Sequence, residues 1–205
     1  LRPGTYGIEG VNLLHQVSMQ GAGAGQVVIE GTVVGLQTGA SLSGVTINGG
    51  ILGIAVGTGE APEIRDCTIS GSSGWGVECI GSYPILTNCT ISDNAGGVHC
   101  WFYSYPTLAN CTISGNVGGG VRLDTSSPTL TNCIVWDNLV GFQSEGDSNP
   151  IISYSCIEGK SVWPGEGNIN LAPLFCGGWE RHEVWVDPSG AAPGVRAFRT
   201  WRTSC

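Results

Sequence analysis

Glu78, His99, Arg122 and Gln143 place an acid, an imidazole, a guanidinium and an amide at equivalent points of a repeated sequence. Two residues further on in each repeat stand Ile80, Trp101, Asp124 and Glu145. Phe102, Tyr103 and Tyr105 follow Trp101, and Tyr83 lies one repeat earlier. Aromatic faces stack on sugar rings, while carboxylates, Arg and Gln hydrogen-bond hydroxyls and carboxylates. The combination predicts a saccharide site built from Glu78, His99, Trp101, Tyr103, Arg122, Asp124 and Gln143. Arg122, a bidentate partner for a carboxylate, directs the expectation towards acidic polysaccharides. Two catalytic chemistries are also open. In a lyase, Arg122 would neutralise a uronate and His99 or Tyr103 would take the proton α to its carboxylate. In a hydrolase, Glu78 and Asp124 would flank the glycosidic bond. The plain alternative is a solvated strand face on which unlike charges such as Glu78 and His99 stabilise neighbouring strands.

What must position these residues is a 22-residue unit, written four times over residues 63–150: EIRDCTISGSSGWGVECIGSYP, ILTNCTISDNAGGVHCWFYSYP, TLANCTISGNVGGGVRLDTSSP and TLTNCIVWDNLVGFQSEGDSNP. Cys67, Cys89, Cys111 and Cys133 keep this period, and so do Pro62, Pro84, Pro106, Pro128 and Pro150. A fixed period of this size means stacked units, each burying its apolar face only against its neighbours. Leu86, Cys89 and Ile91 read as inward, Thr87, Thr90 and Ser92 as outward. Two residues rather than one separate Leu86 from Cys89, so the alternation changes phase at Asn88, a residue that tolerates left-handed backbone. A second corner falls at residues 94–97 and a third before each proline. Three short strands and three corners make one turn of a triangular coil, with equivalent side chains stacked about 4.8 Å apart. A helical repeat fails on composition: Gly is 34 of 205 residues, and no window keeps a helical apolar period over three turns.

In the third strand of each coil, Val77-Glu78-Cys79-Ile80 and its equivalents, the first and third residues point inward. The second and fourth then form the outward columns described above. Four successive coils spread Glu78 to Gln143 over about 15 Å.

Residues 41–62 form a coil without cysteine in which Leu42, Val45 and Ile47 replace Ile64, Cys67 and Ile69, and Gly44 takes the corner. Residues 151–173 are a further variant, with Ser155 in the cysteine column and Cys156 moved to the outward Thr position. The chain divides into irregular entry coils over 1–40, repeats over 41–173, and a closing cap or irregular tail over 174–205. The glycines at 21–25 lack the Lys-Ser or Lys-Thr of a phosphate-binding loop.

The NCTISGN and GGG-V stretches, Asn110 to Val121 in the third repeat, resemble the right-handed parallel β-helix (pectin-lyase-like) family. The resemblance implies an all-β solenoid, and a substrate face on the corresponding strand and its flanking loops. It implies no catalytic residue here, because the GHG, RIK and paired-Asp strings of polygalacturonases and the WxDH of pectate lyases are missing. One fold hosts many functions. The expectation is therefore a secreted or cell-surface module, carbohydrate-interacting or adhesive and structural, with a polysaccharide lyase or glycoside hydrolase as the alternative. The opening LRPGTY is similar to the entry segment of such proteins, which follows an earlier strand or capping helix, and so reads as the start of a fragment.

Charged residues are only 12% and the net charge is −8, which argues against a nucleic-acid partner. No stretch approaches the length of a membrane-spanning helix, so no membrane insertion is expected. No cofactor or metal is expected either, since no CxxC or His-flanked spacing accompanies the nine cysteines. In parallel, in-register strands the column cysteines keep parallel side chains at about 5 Å, too far for a disulfide, and so read as buried thiols. Thr68, Thr90 and Thr112 form a second regular outward column, of the kind an ice-binding surface uses, but it ends at Ile134.

Overall fold

Asn, Gly and Pro punctuate each repeat and become corners; the β-branched runs between them become strands. The computed structural model describes residues 1–7, 11–12 and 17–173. Among these, every strand pairs parallel with its equivalent one coil away, in three sheets. The first holds eight strands, from Gly4–Gly7 to Cys156–Ile157. The second holds seven, from Val11–Asn12 to Val140–Glu145, and the third seven, from Met19–Gln20 to Ile151–Ser153.

The core is a set of stacked columns. Leu42, Ile64, Leu86, Leu108, Leu130 and Ile152 follow one another in register, as do Ile47, Ile69, Ile91, Ile113, Val135 and Ile157. All are buried. Burying such a side chain stabilises by about 1.5–3 kcal/mol, so each coil holds its neighbours chiefly through this pair.

Cys67, Cys89, Cys111 and Cys133 form a third inward column and are free and buried, with Cys79 and Cys100 forming a shorter one. Each thiol of the longer column reaches a carbonyl oxygen of the preceding coil: Leu42, Ile64, Leu86 and Leu108, at 3.5–3.7 Å. The neighbouring thiol first, and burial second, push Cys67 well above the ordinary thiol range; Cys89 and Cys111 are likewise raised, with the next thiol in the column as the largest cause. Ser155 ends the column, its hydroxyl accepting from the Cys133 amide at 3.0 Å.

Each corner carries its own ladder. At the first, Asp66, Asn88, Asn110, Asn132 and Tyr154 all have φ between 49° and 59°, and Gly44 takes 63°. Asn88 donates to Asp66 and Asn132 to Asn110, at 3.1 and 2.9 Å, so these side chains link in pairs. The continuous amide ladder lies instead at the second corner. Asn94 donates to Asn116 and Asn116 to Asn138, at 3.1 and 2.8 Å. Each also donates to a carbonyl of the preceding coil, those of Ile69, Ile91 and Ile113. At the third corner the Ser82, Ser104 and Ser126 amides donate to the hydroxyls of Ser104, Ser126 and Ser148.

The entry coils over 1–40 contribute strands to all three sheets: Tyr6 pairs with Ile29, Val11 with Val33 and Met19 with Leu42. Gly23, Gly25, Gly31 and Gly35 have positive φ there, so glycine serves where later coils use Asn. Two expectations change. The Thr column does align, with Thr46 added to it, but it is no open face at its far end. Thr112 is buried at 7% exposure, and Ile134 at 8%. Cys156 aligns with Ile134 as expected for an outward residue, yet it is buried and donates to the Leu171 carbonyl at 3.1 Å. Burial pushes its thiol up to about 11. The expected cap or tail over 174–205 lies outside the described residues.

Candidate functional site

Register brings the sequence-predicted residues together on the outer face of the second sheet. Ala55, Glu78, His99, Arg122 and Gln143 follow one another across Ile54–Val56, Trp75–Ile80, Gly96–Trp101, Gly119–Asp124 and Val140–Glu145. Ile80, Trp101, Asp124 and Glu145 run beside them. The step from Val98 to Val121 is one residue longer than the repeat, and that from Val121 to Phe142 one shorter. The third corner compensates, and in the Trp101 coil the added residue makes the pair Phe102-Tyr103.

The polar side chains are tied to one another. His99 donates from Nε2 to Asp124 Oδ2 at 2.8 Å, which places the ring proton on that nitrogen. Arg122 reaches the same oxygen from Nε at 3.3 Å and Glu145 Oε2 from its terminal nitrogen at 3.5 Å. The hydrogen bond from His99 first, and the Arg122 guanidinium after it, hold the Asp124 carboxyl below the usual carboxylate range. Glu78 lies 3.6 Å from His99 Nδ1, beyond a hydrogen bond, and that nitrogen is buried with no hydrogen-bond partner among the described residues. Gln143 stands apart from this network and lies over Gly119, its Oε1 3.3 Å from where a Cβ would sit.

Trp75 is the residue that sequence reading missed. Its indole stacks on the His99 ring at 4.8 Å, and His99 in turn lies nearly parallel to Trp101 at 6.1 Å. Trp75 pairs with Gly96, and a Cβ at Gly96 would fall inside the indole. The signal was present in the sequence: one bulky aromatic stands where the next coil has glycine, so the ring lies down along the sheet.

Beyond Trp101 the row turns the corner. Phe102 and Tyr103 both adopt left-handed backbone, φ 58° and 61°, and both are well exposed. They meet edge to face at 6.1 Å, and Tyr83 stacks on Tyr105 at 5.9 Å. Polar groups therefore run along the stack of coils, while the aromatic row starts from Trp75 of one coil, passes over His99 of the next, and continues around that coil through Trp101 to Tyr103. A lyase would need Arg122 free for a uronate, and Asp124 and Glu145 engage it; His99 keeps Nδ1 for a proton, but that nitrogen is buried.

A triangular stack of parallel coils with Asn, Ser and Cys columns matches one known family. The model for the right handed beta helix region matches residues 29–172. The chain belongs to the right-handed β-helix family. Among solved structures this β-helix is similar to ORF18 of Geobacillus virus E2, at 14% identity and TM-score 0.55, covering 74% of this chain and 37% of that one. It is also similar to pectate lyase Pel9A, at 14% identity and TM-score 0.46, covering 76% and 53%. A third is the mannuronan C-5 epimerase AlgE4 A-module of Azotobacter vinelandii, at 13% and 0.42, covering 75% and 64%. The chain thus spans less than two thirds of the length of each. At such identity the likeness is one of fold. No curated protein matches the chain.

Proposed function

We propose that this β-helix is a carbohydrate-binding module of a secreted or cell-surface protein, with its site on the outer face of the second sheet and the corner beside it. The observation that carries this reading is the pair Phe102 and Tyr103. A left-handed non-glycine residue costs roughly 1–2 kcal/mol, and the chain places two in succession, both aromatic and exposed, next to Trp101. Other coils put Gly81, Thr125 and Gly146 in left-handed backbone at this corner, so the bend belongs to the fold; what is particular to this coil is that two exposed aromatic residues fill a bend that favours glycine. Flat rings at an open corner suit the faces of pyranose rings, and Gln143 and Glu78 supply hydrogen-bonding groups beside them. Binding is favoured over catalysis because Asp124 and Glu145 occupy Arg122 and the remaining nitrogen of His99 is buried.

A glycan pull-down with wild type, Trp101→Ala, Tyr103→Ala and the first-sheet control Thr90→Ala tests the site, with folding checked by circular dichroism. Wild type and Thr90→Ala should bind alike, and each aromatic variant about tenfold more weakly, the equivalent of about 1.4 kcal/mol. Wild type retaining no glycan, or all four binding equally, would leave an adhesive or structural repeat. Release of unsaturated uronates or reducing ends would instead make the module an enzyme. Detection of the native protein on intact cells or in the medium, rather than in the cytosol, checks the location.

A further inference from the structure

The identity of the saccharide follows from charge. Of the eight Lys and Arg residues, only Arg2, Arg65, Arg122 and Lys160 precede residue 174, whereas thirteen of the sixteen Asp and Glu residues do. Arg65 is paired with Glu63 on the third sheet. Among the described residues Arg122 is the one Lys or Arg on the face of the second sheet carrying the aromatic row, and it is shared between Asp124 and Glu145. Glu78 stands on the same face two strands from Arg122, beside His99, so the face carries three carboxylates and one guanidinium. Turning Arg122 towards a uronate would strip Glu145 of its partner, leave Asp124 with the His99 hydrogen bond alone, and bring a third negative charge to them. An acidic polysaccharide therefore meets repulsion at the one place that seemed made for it.

We infer that the aromatic platform of Trp101, Phe102 and Tyr103 takes an amino-sugar chain, such as a glucosamine oligomer, whose ammonium groups face Glu78, Asp124 and Glu145. The inference rests on the carbohydrate-binding reading above and names its ligand class. Two interactions of different kinds converge on such a ligand. Ring faces stack on the aromatic side chains, and an ammonium group beside a ring is attracted by its π face as well as by the carboxylates. Glu145 is 58% exposed and already spans 3.5 Å to Arg122, so it can turn to a cation at little cost. A neutral sugar would use the stacking and hydrogen bonds without the charge. A basic peptide would use the charge alone.

Binding of the full chain is compared by calorimetry at mildly acidic pH for four probes: a glucosamine hexamer, its N-acetylated form, a galacturonate hexamer and an oligolysine of equal charge. The glucosamine hexamer should bind about tenfold more tightly than the N-acetylated form, and the galacturonate hexamer not measurably. Glu145→Gln should weaken the glucosamine hexamer several-fold, with the advantage shrinking as salt rises, and leave the N-acetylated hexamer unchanged. Glu78→Gln, at a residue that also touches the neutral sugar, should weaken the glucosamine hexamer more than the N-acetylated one. Trp101→Ala should weaken both. A tighter galacturonate hexamer, or equal binding of the two hexosamine forms, overturns the amino-sugar inference and leaves the carbohydrate site standing. Oligolysine binding as tightly as the glucosamine hexamer overturns it in favour of an unspecific polycation surface. If neither these sugars nor any glycan in the pull-down binds, the carbohydrate reading itself falls.

Discussion

Asn116 shows how much one side chain can hold in a parallel stack. Its Oδ1 accepts from the Asn94 amide and side chain, and its Nδ2 donates to Asn138 and to the Ile91 and Ser114 carbonyls. Truncation leaves several of these buried groups unpaired, each worth about 1–3 kcal/mol. Asn116→Ala should therefore lower unfolding free energy by about 3 kcal/mol. Asn110→Ala, which loses one partly buried bond and the left-handed preference of Asn, should cost about 1–2 kcal/mol. Urea titration of both variants orders them, and the reverse order would show that the wrong corner has been assigned the dominant ladder. Asp124 adds a pH signature. Its carboxyl is lowered in the folded protein, so its stabilisation is present above the unfolded carboxylate range and is lost as pH falls through the folded value. Because the side chain is 32% exposed, the effect should stay below about 1 kcal/mol. Asp124→Asn should lower the urea midpoint slightly at neutral pH, with the gap closing in acid; a gap that widened in acid would contradict the sign.

Two adjacent glycines of the strand Gly96–Trp101 differ in what they permit. Gly97 faces inward, where an added Cβ would strike the Gly120 carbonyl oxygen and the Ile113 side chain. Backbone on one side and the packed Ile113 and Asn116 side chains on the other leave little room to give, so Gly97→Ala should cost about 1–3 kcal/mol or more. Gly96 faces outward beneath the Trp75 indole. Gly96→Ala should keep the fold and lift the ring off the sheet, breaking its stacking on His99. Near-ultraviolet circular dichroism and tryptophan emission should change with little loss of stability. If Gly96→Ala unfolds the protein while Gly97→Ala does not, the inside and outside of this strand are interchanged.

Along the whole molecule, each coil touches only its neighbours, so stability should be graded from the ends to the middle. Amide exchange should be slowest around Ile91 and Ile113 and faster towards Gly4–Gly7 and Cys156–Ile157. The buried cysteines, from Cys67 to Cys133, should resist thiol reagents in the folded protein and react fully on denaturation without reductant. Early reaction at central rather than terminal coils would break the one-dimensional picture, and preformed disulfides within the column would break the coil geometry.

Period, inward columns, corner positions and the alignment of Glu78, His99, Arg122 and Gln143 were legible in the chain, because in a parallel solenoid spacing along the sequence is position in space. The left-handed corner at Asn88 could be read from a single break in alternation for the same reason. What side chains do once stacked could not. Whether Asn88 or Asn94 heads the continuous ladder depends on burial at each corner, and the one-letter pattern is the same at both. Trp75 was overlooked because its ring is placed by the absence of a side chain one coil away. Arg122 changed meaning most: its type promised a carboxylate ligand, but Asp124, two residues on in the same strand, and Glu145, in the next strand, claim its charge. Columns are inherited from the repeat, whereas contacts between columns depend on rotamers, and rotamers are settled only when all the neighbours are present.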